Sequence, residues 1–163
     1  MPCLAFWFAL LAASPTDAAQ APAPVLILEG QASVIDGDTL EIHGERIRLE
    51  GVDAPEARQV CQLEGKPWRC GQAAALALDA FIASRPLRCE WRTRDRYGRV
   101  LGLCTVGGTD VGAWLVRSGW ALAFRRFSTA YVPLEDEARA ASTGLWASTF
   151  DLPWEYRRKP RGN

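Results

Sequence analysis

Six residues carry most of the chemistry that this chain offers: Asp36, Asp38, Arg48, Asp53, Glu56 and Arg99. Asp36-Gly37-Asp38-Thr39 stands at the mouth of a hairpin, Arg48 follows on the return strand, and Asp53-Ala54-Pro55-Glu56 leaves it. Hairpin geometry folds the two acidic stretches together, so Asp38 and Asp53 are expected to converge on one point. Adjacent carboxylates repel unless a cation lies between them, and oxygen donors of this kind suit Ca²⁺ or Mg²⁺. The expected chemistry is therefore metal-assisted. The chain has a single His, so a carboxylate is the natural general base, and Glu56, held just beyond Pro55, is placed to act on a water.

Arg48 and Arg99 supply the complementary charge. Guanidinium groups pair with phosphate oxygens and stabilise charge that grows during in-line attack. One metal, one carboxylate base and two arginines are the parts that phosphodiester hydrolysis requires. Residues 85–99 add a local basic field, with six arginines against Glu90 and Asp95. The whole chain has 19 Lys+Arg against 19 Asp+Glu and a formal net charge of 0, so any anion site must be local. Plainer roles exist for each group. Asp-Gly is a common turn pair, Arg48 and Arg99 can pair across a sheet with Glu41 or Glu50, and an arginine run is often a solvated strand face. Trp91, Trp114, Trp120 and Trp146 are expected in the core, while Tyr97 suits either role.

The elements that must position these groups follow from periodicity. Strand patterns occur at 25–28 and 32–35, and 39–49 alternates as a hairpin turning at His43-Gly44. A polar loop occupies 58–70, and helical spacing predicts helices over 71–83, 110–118 and 133–143. A second hairpin, 87–91 with 100–106, bends at Tyr97-Gly98; folded about its midpoint, it sets Cys89 opposite Cys104. A Cys61–Cys70 bridge would then close the polar loop. The fold class is α+β, mainly β: a five-stranded, OB-fold-like antiparallel barrel with about three packed helices.

The chain of 163 residues suits one core. Residues 1–21 have the pattern of a signal peptide, with a short apolar run ending in small residues, and 22–31 form a linker and the entry to the first strand. Residues 32–148 are the domain, and 149–163 form a basic tail carrying Arg157, Arg158, Lys159 and Arg161, expected to be a disordered end. Cleavage after Ala21 would leave four cysteines, Cys61, Cys70, Cys89 and Cys104. An even set in an exported chain implies two disulfides and a periplasmic or secreted protein; the spacing does not suit zinc. The apolar run is too short to span a bilayer, so no stable membrane insertion is expected once it is removed.

In order, Val34-Ile35-Asp36-Gly37-Asp38-Thr39, Ile47-Arg48-Leu49, Gly51-Val52-Asp53-Ala54-Pro55-Glu56, Asp95-Arg96-Tyr97-Gly98-Arg99 and Gly144-Leu145-Trp146 resemble the staphylococcal nuclease (thermonuclease) family over 32–146. The resemblance implies a five-stranded OB barrel with three helices and a Ca²⁺-dependent nuclease that cuts DNA and RNA to leave 3′-phosphate ends; a monomer is expected. On it, Asp38, Asp53 and the backbone carbonyl of Ala54 would ligate one Ca²⁺, with Asp36 just behind them. Glu56 would activate the attacking water, and Arg48 and Arg99 would bind the scissile phosphate. Ala54 replaces the Thr of the best-known member. Beyond Gly119, Arg125 and Phe127 stand where that enzyme has two tyrosines that hold a terminal phosphate and stack on a base. With Arg96 and Tyr97, they are the expected substrate contacts. The rival from another class is an OB module that binds nucleic acid or protein without cutting. Non-reducing peptide mass spectrometry is expected to find Cys89 joined to Cys104; four free thiols after oxidative export would overturn both the pairing and the compartment.

Overall fold

A computed structural model describes residues 23–160. The expected signal peptide at 1–21, and Arg161 of the tail, lie outside the described residues. Along the chain run β1 (Leu26–Gly30), β2 (Ser33–Asp36), β3 (Thr39–Ile42), β4 (Glu45–Leu49), β5 (Val52–Asp53), β6 (Cys61–Leu63), β7 (Lys66–Trp68) and α1 (Cys70–Ile82). These are followed by β8 (Leu87–Arg94), β9 (Val100–Val106), β10 (Thr109–Asp110), α2 (Val111–Arg117), β11 (Leu122–Ala123) and α3 (Val132–Ala140). A 3-10 turn (Gly144–Ala147) and α4 (Pro153–Tyr156) complete the order.

The main sheet has the order β1-β8-β9-β4-β3-β2, with β10 added on β9, and curls into a half-barrel. The β3–β4 pair is the expected hairpin, with His43 and Gly44 both at positive φ in its turn. Its register sets Arg48 opposite Thr39, which brings the cationic side chain to the Asp36-Gly37-Asp38 mouth. In β8–β9, Cys89 is paired with Cys104, and the bridge forms there across 4.0 Å between Cα atoms. One pairing departs from the antiparallel expectation: β4 and β9 run parallel, Ile47 beside Val100, because the sheet curls until the two hairpins meet along these strands.

Burial follows the alternation. Leu40, Ile42, Ile47 and Leu49 point inward from the first hairpin and meet Leu78 and Ile82 of α1 and Leu115 of α2. Trp91, Trp114 and Trp120 are partly buried against this core, as expected of large rings. A second cluster gathers Cys61, Cys70, Leu122 and Leu145, with Trp146, Leu152 and Trp154 against it. This cluster explains two differences from the sequence expectation. The polar loop at 58–70 is a small hairpin, β6–β7, closed by the Cys61–Cys70 bridge, and the tail packs on it. Gln62 and Thr149 exchange backbone hydrogen bonds of 2.8 and 2.9 Å. Residues 149–160, expected to be disordered, are thus folded onto the domain through apolar side chains that a composition-based reading treats as part of a charged end.

Two glycines let the layers approach. A Cβ on Gly37 would fall 2.7 Å from the Ala54 Cβ, and one on Gly71 would fall 1.8 Å from the backbone oxygen of Glu56. The start of α1 is therefore in direct contact with the turn that carries Glu56. Gly71→Ala must push that turn away, and urea denaturation is expected to show a loss of about 1–3 kcal/mol or more. An unchanged midpoint would mean that the turn yields freely.

Candidate active site

One strand end and two turns build the centre. Asp38 lies in the β2–β3 corner, Asp53 ends β5, and Glu56 lies in the turn beyond Pro55. Asp53 is fully buried and Asp38 is 7% exposed. Arg48 joins them, its Nη1 lying 2.7 Å from Asp38 Oδ2 and its Nη2 2.9 Å from Asp53 Oδ1. The convergence expected from the hairpin is present, with a guanidinium between the two acids. Asp38 Oδ2 also accepts the Ala54 backbone N–H at 3.0 Å, and its Oδ1 accepts the Thr39 hydroxyl at 3.1 Å. Asp36 accepts the Asp38 backbone N–H at 3.1 Å and lies behind the pair.

Arg99 approaches along a different path. Its Nε and Nη2 both lie 2.8 Å from Asp95 Oδ2, and Nη1 lies 3.4 Å from the Thr39 hydroxyl, which in turn meets Asp38. Neither Arg48 nor Arg99 is paired with Glu41 or Glu50; Arg48 pairs with Asp38 and Asp53, and Arg99 with Asp95. Asp95 also accepts the backbone N–H groups of Tyr97 and Arg99, which fixes the turn between β8 and β9. Burial is the largest single influence and works against the Asp95 charge, but these bonds, led by that from the Arg99 side chain, together outweigh it and hold its pKa down.

Of the other expected contacts, Arg96, Tyr97 and Arg125 line a cleft of about 820 Å³, and Phe127 does not. Arg96 and Tyr97 line one part of it; the Arg96 Nη2 donates to the Tyr97 hydroxyl at 2.7 Å, and the ring is 68% exposed. Arg125 lines another part and pairs at 2.8 Å with Glu135, whose second oxygen accepts the Ala123 backbone N–H. Phe127 is 63% exposed, its ring 5.1 Å from that of Phe124. Arg85, Arg88, Arg92 and Arg94 do not line the cleft; Arg88 and Arg94 pair with Glu29 and Glu45 on the exposed sheet surface. For these the solvated-face reading holds.

Sequence reasoning missed one member. Arg157, just after α4, donates to Asp53 Oδ1 at 3.0 Å, to Asp53 Oδ2 at 2.7 Å and to Glu56 Oε1 at 2.9 Å. The available signal was Pro153 followed by Trp154 and Tyr156, aromatic residues placed to dock a short turn ahead of the arginine. Burial opposes the charge on Arg48, yet Asp38 and Asp53 outweigh it and hold its pKa up. Hydrogen bonds to Asp53 and then Glu56 likewise raise that of Arg157. Burial pushes Asp53 up, while Arg157 and Arg48 pull it back.

The donor set fits a hard divalent ion, since the converging atoms are carboxylate oxygens and the acids exceed the guanidiniums that reach them. Among the described residues no group of three or more His, Cys, Asp and Glu forms a metal cage; the acids face arginines instead.

The protein is thus of the mixed α+β class, a curled sheet with packed helices that carries two aspartates, a nearby glutamate and their arginines in one ion-paired cluster. Residues 46–148 match the family model described as staphylococcal nuclease homologue, and the chain belongs to that family. Arg48, Asp53, Glu56 and Arg99 fall inside the match, Asp36 and Asp38 precede it, and Arg157 follows it. Among similar proteins, the succinoglycan biosynthesis protein ExoI of Rhizobium meliloti (strain 1021) is 49% identical over 135 residues, covering 80% of this chain and 69% of that protein. An uncharacterized endonuclease of Escherichia coli is 32% identical over 135 residues, 77% of this chain and 82% of that protein. The staphylococcal-like nuclease CAN1 of Arabidopsis thaliana is 32% identical over 120 residues, 72% of this chain and 34% of that protein.

Asp36 supplies a pH prediction. Burial first, and then Asp38, push its pKa from 3.8 up to about 6. The folded state therefore binds the proton more tightly than the unfolded chain, and this group costs stability progressively as pH rises from about 4 to 6. With chelator present, Asp36→Asn is expected to stabilise the protein by about 1–2 kcal/mol at pH 7 and to be neutral at pH 4. Equal effects at both pH values, measured by thermal melts, would contradict the shift.

Proposed function

We propose that this chain is a Ca²⁺-dependent nuclease that hydrolyses phosphodiester bonds of DNA and RNA by attack of water and leaves 3′-phosphate ends. The observation that carries the reading is the meeting of Asp38, from the β2–β3 turn, and Asp53, from the end of β5, on Arg48 beside the half-exposed Glu56. Asp38, Asp53 and the carbonyl of Ala54 would hold the ion, with Asp36 supporting Asp38 from behind. Bound there, Ca²⁺ supplies positive charge that attracts the phosphate and offsets the charge growing on it.

Glu56 takes the proton of the attacking water. Its side chain is 39% exposed, so water reaches it, and its backbone N–H is held at 3.2 Å by the buried Gln59. Arg48 and Arg99 bind the non-bridging oxygens and stabilise the negative charge of the transition state. Asp95 keeps Arg99 pointed at the site. Arg96 and Arg125 take flanking phosphates, while Tyr97 and Phe127 offer exposed rings to bases. The two disulfides support a periplasmic or secreted location for the enzyme, which acts as a monomer. Among the described residues no helix is long and apolar enough to cross a membrane.

Oxidised protein is expected to cut single-stranded DNA with Ca²⁺ and to stop with excess chelator. Arg99→Ala should lower turnover by about 10²–10³. Glu56→Gln should remove most turnover and leave nucleotide binding nearly unchanged. Salt-sensitive binding without cutting in the wild-type protein would move the chain to the non-catalytic OB modules.

A further inference from the structure

Arg157 reaches the centre from a segment beyond the family match, and that segment is firmly attached. Thr149 is bridged to Gln62 of β6, and the buried Gln59 donates from Nε2 to the Asp151 carbonyl at 2.7 Å. Pro153 is buried, the Trp154 ring lies 6.0 Å from that of Phe124 at 24°, and the Tyr156 hydroxyl donates to the Arg58 carbonyl. A long, rotamer-rich side chain on so fixed a base is aimed rather than loose.

What it is aimed at decides its role. Four carboxylates gather here, Asp36, Asp38, Asp53 and Glu56, while Arg99 is committed to Asp95. Arg48 alone bridges Asp38 and Asp53; Arg157 shares Asp53 Oδ1 with it and is the guanidinium on Asp53 Oδ2 and Glu56. Arg48 is nearly buried, whereas the Arg157 side chain is 38% exposed and lines the cleft. Of the two guanidiniums, Arg157 is the one with room to leave.

We propose that Arg157 is a built-in counter-cation of the site: it holds Asp53 and Glu56 together by charge and competes with the divalent ion for Asp53. The inference rests on the assignment of the ion to Asp53 made above. Arg157 is a positioning residue, acting through the two acids. A guanidinium displaced from Asp53 would have the cleft to occupy, which Arg157 already lines together with Arg125 and Arg126.

Calcium titration calorimetry on the oxidised full chain, without nucleic acid, tests this directly. Arg157→Gln is expected to bind Ca²⁺ at least about tenfold more tightly than the wild-type protein. Arg158→Gln, which removes the same charge from the neighbouring position, is expected to change affinity by less than about threefold. Arg157→Lys keeps the charge but not the fork and is expected to fall between wild type and Arg157→Gln, which maintains a test if the glutamine variant folds poorly. Thermal melts should show a larger Ca²⁺-induced rise for Arg157→Gln than for wild type. Equal or weaker calcium binding in folded Arg157 variants overturns the role of Arg157 alone. Absence of calcium binding in every protein, wild type included, overturns the ion assignment and this inference with it.

Discussion

The structure turns on one buried carboxylate. Asp53 has no contact with water, and an ionised carboxylate in that position requires charged partners. Arg48 and Arg157 provide them, one from the adjacent strand and one from the far end of the chain. Both ends of that demand shape the fold. The short β5 that carries Asp53 is paired with β11, so the chain after α2 must return to this edge. The segment after the 3-10 turn must also fold back, because the second guanidinium has no other route to the site.

Around this centre, the arrangement is graded by exposure. Asp53 and Asp38 are the most enclosed, Arg48 is nearly so, and Glu56 and Arg157 stand at the boundary with the cleft. The groups that would hold charge in place are deep and mutually braced. Those that would exchange protons or phosphates are within reach of water. Such a gradient follows from the physical cost of each task, since desolvation strengthens fixed ion pairs but hinders a group that must meet a water molecule.

Much of this was legible in the sequence because the informative contacts are local. Asp-Gly and His-Gly corners set the hairpin that brings Asp38 and Asp53 together, and symmetry about a centre between Arg96 and Tyr97 set Cys89 against Cys104. Arg157 escaped for the opposite reason: it meets Asp53 across 104 residues of sequence, and no periodicity carries information over that distance. A run of arginine and lysine at a chain end also has the composition of a solvated tail. The β6–β7 hairpin was obscured in the same way, since Gln62, Glu64 and Lys66 are exposed and only Cys61 is buried. Its apolar support comes from Trp68 and from distant residues such as Leu145 and Trp154.

The docked end of the chain also imposes an order of assembly. The main sheet, α1 and both disulfides are complete in sequence by residue 110, and contacts among neighbouring elements form early because little chain must be closed to make them. The charge balance at Asp53 cannot be completed until Arg157 has been synthesised and its segment has folded back. A chain folded only through its sheet thus holds a half-barrel whose centre is still open on the Asp53 side, and a segment distant in sequence closes it.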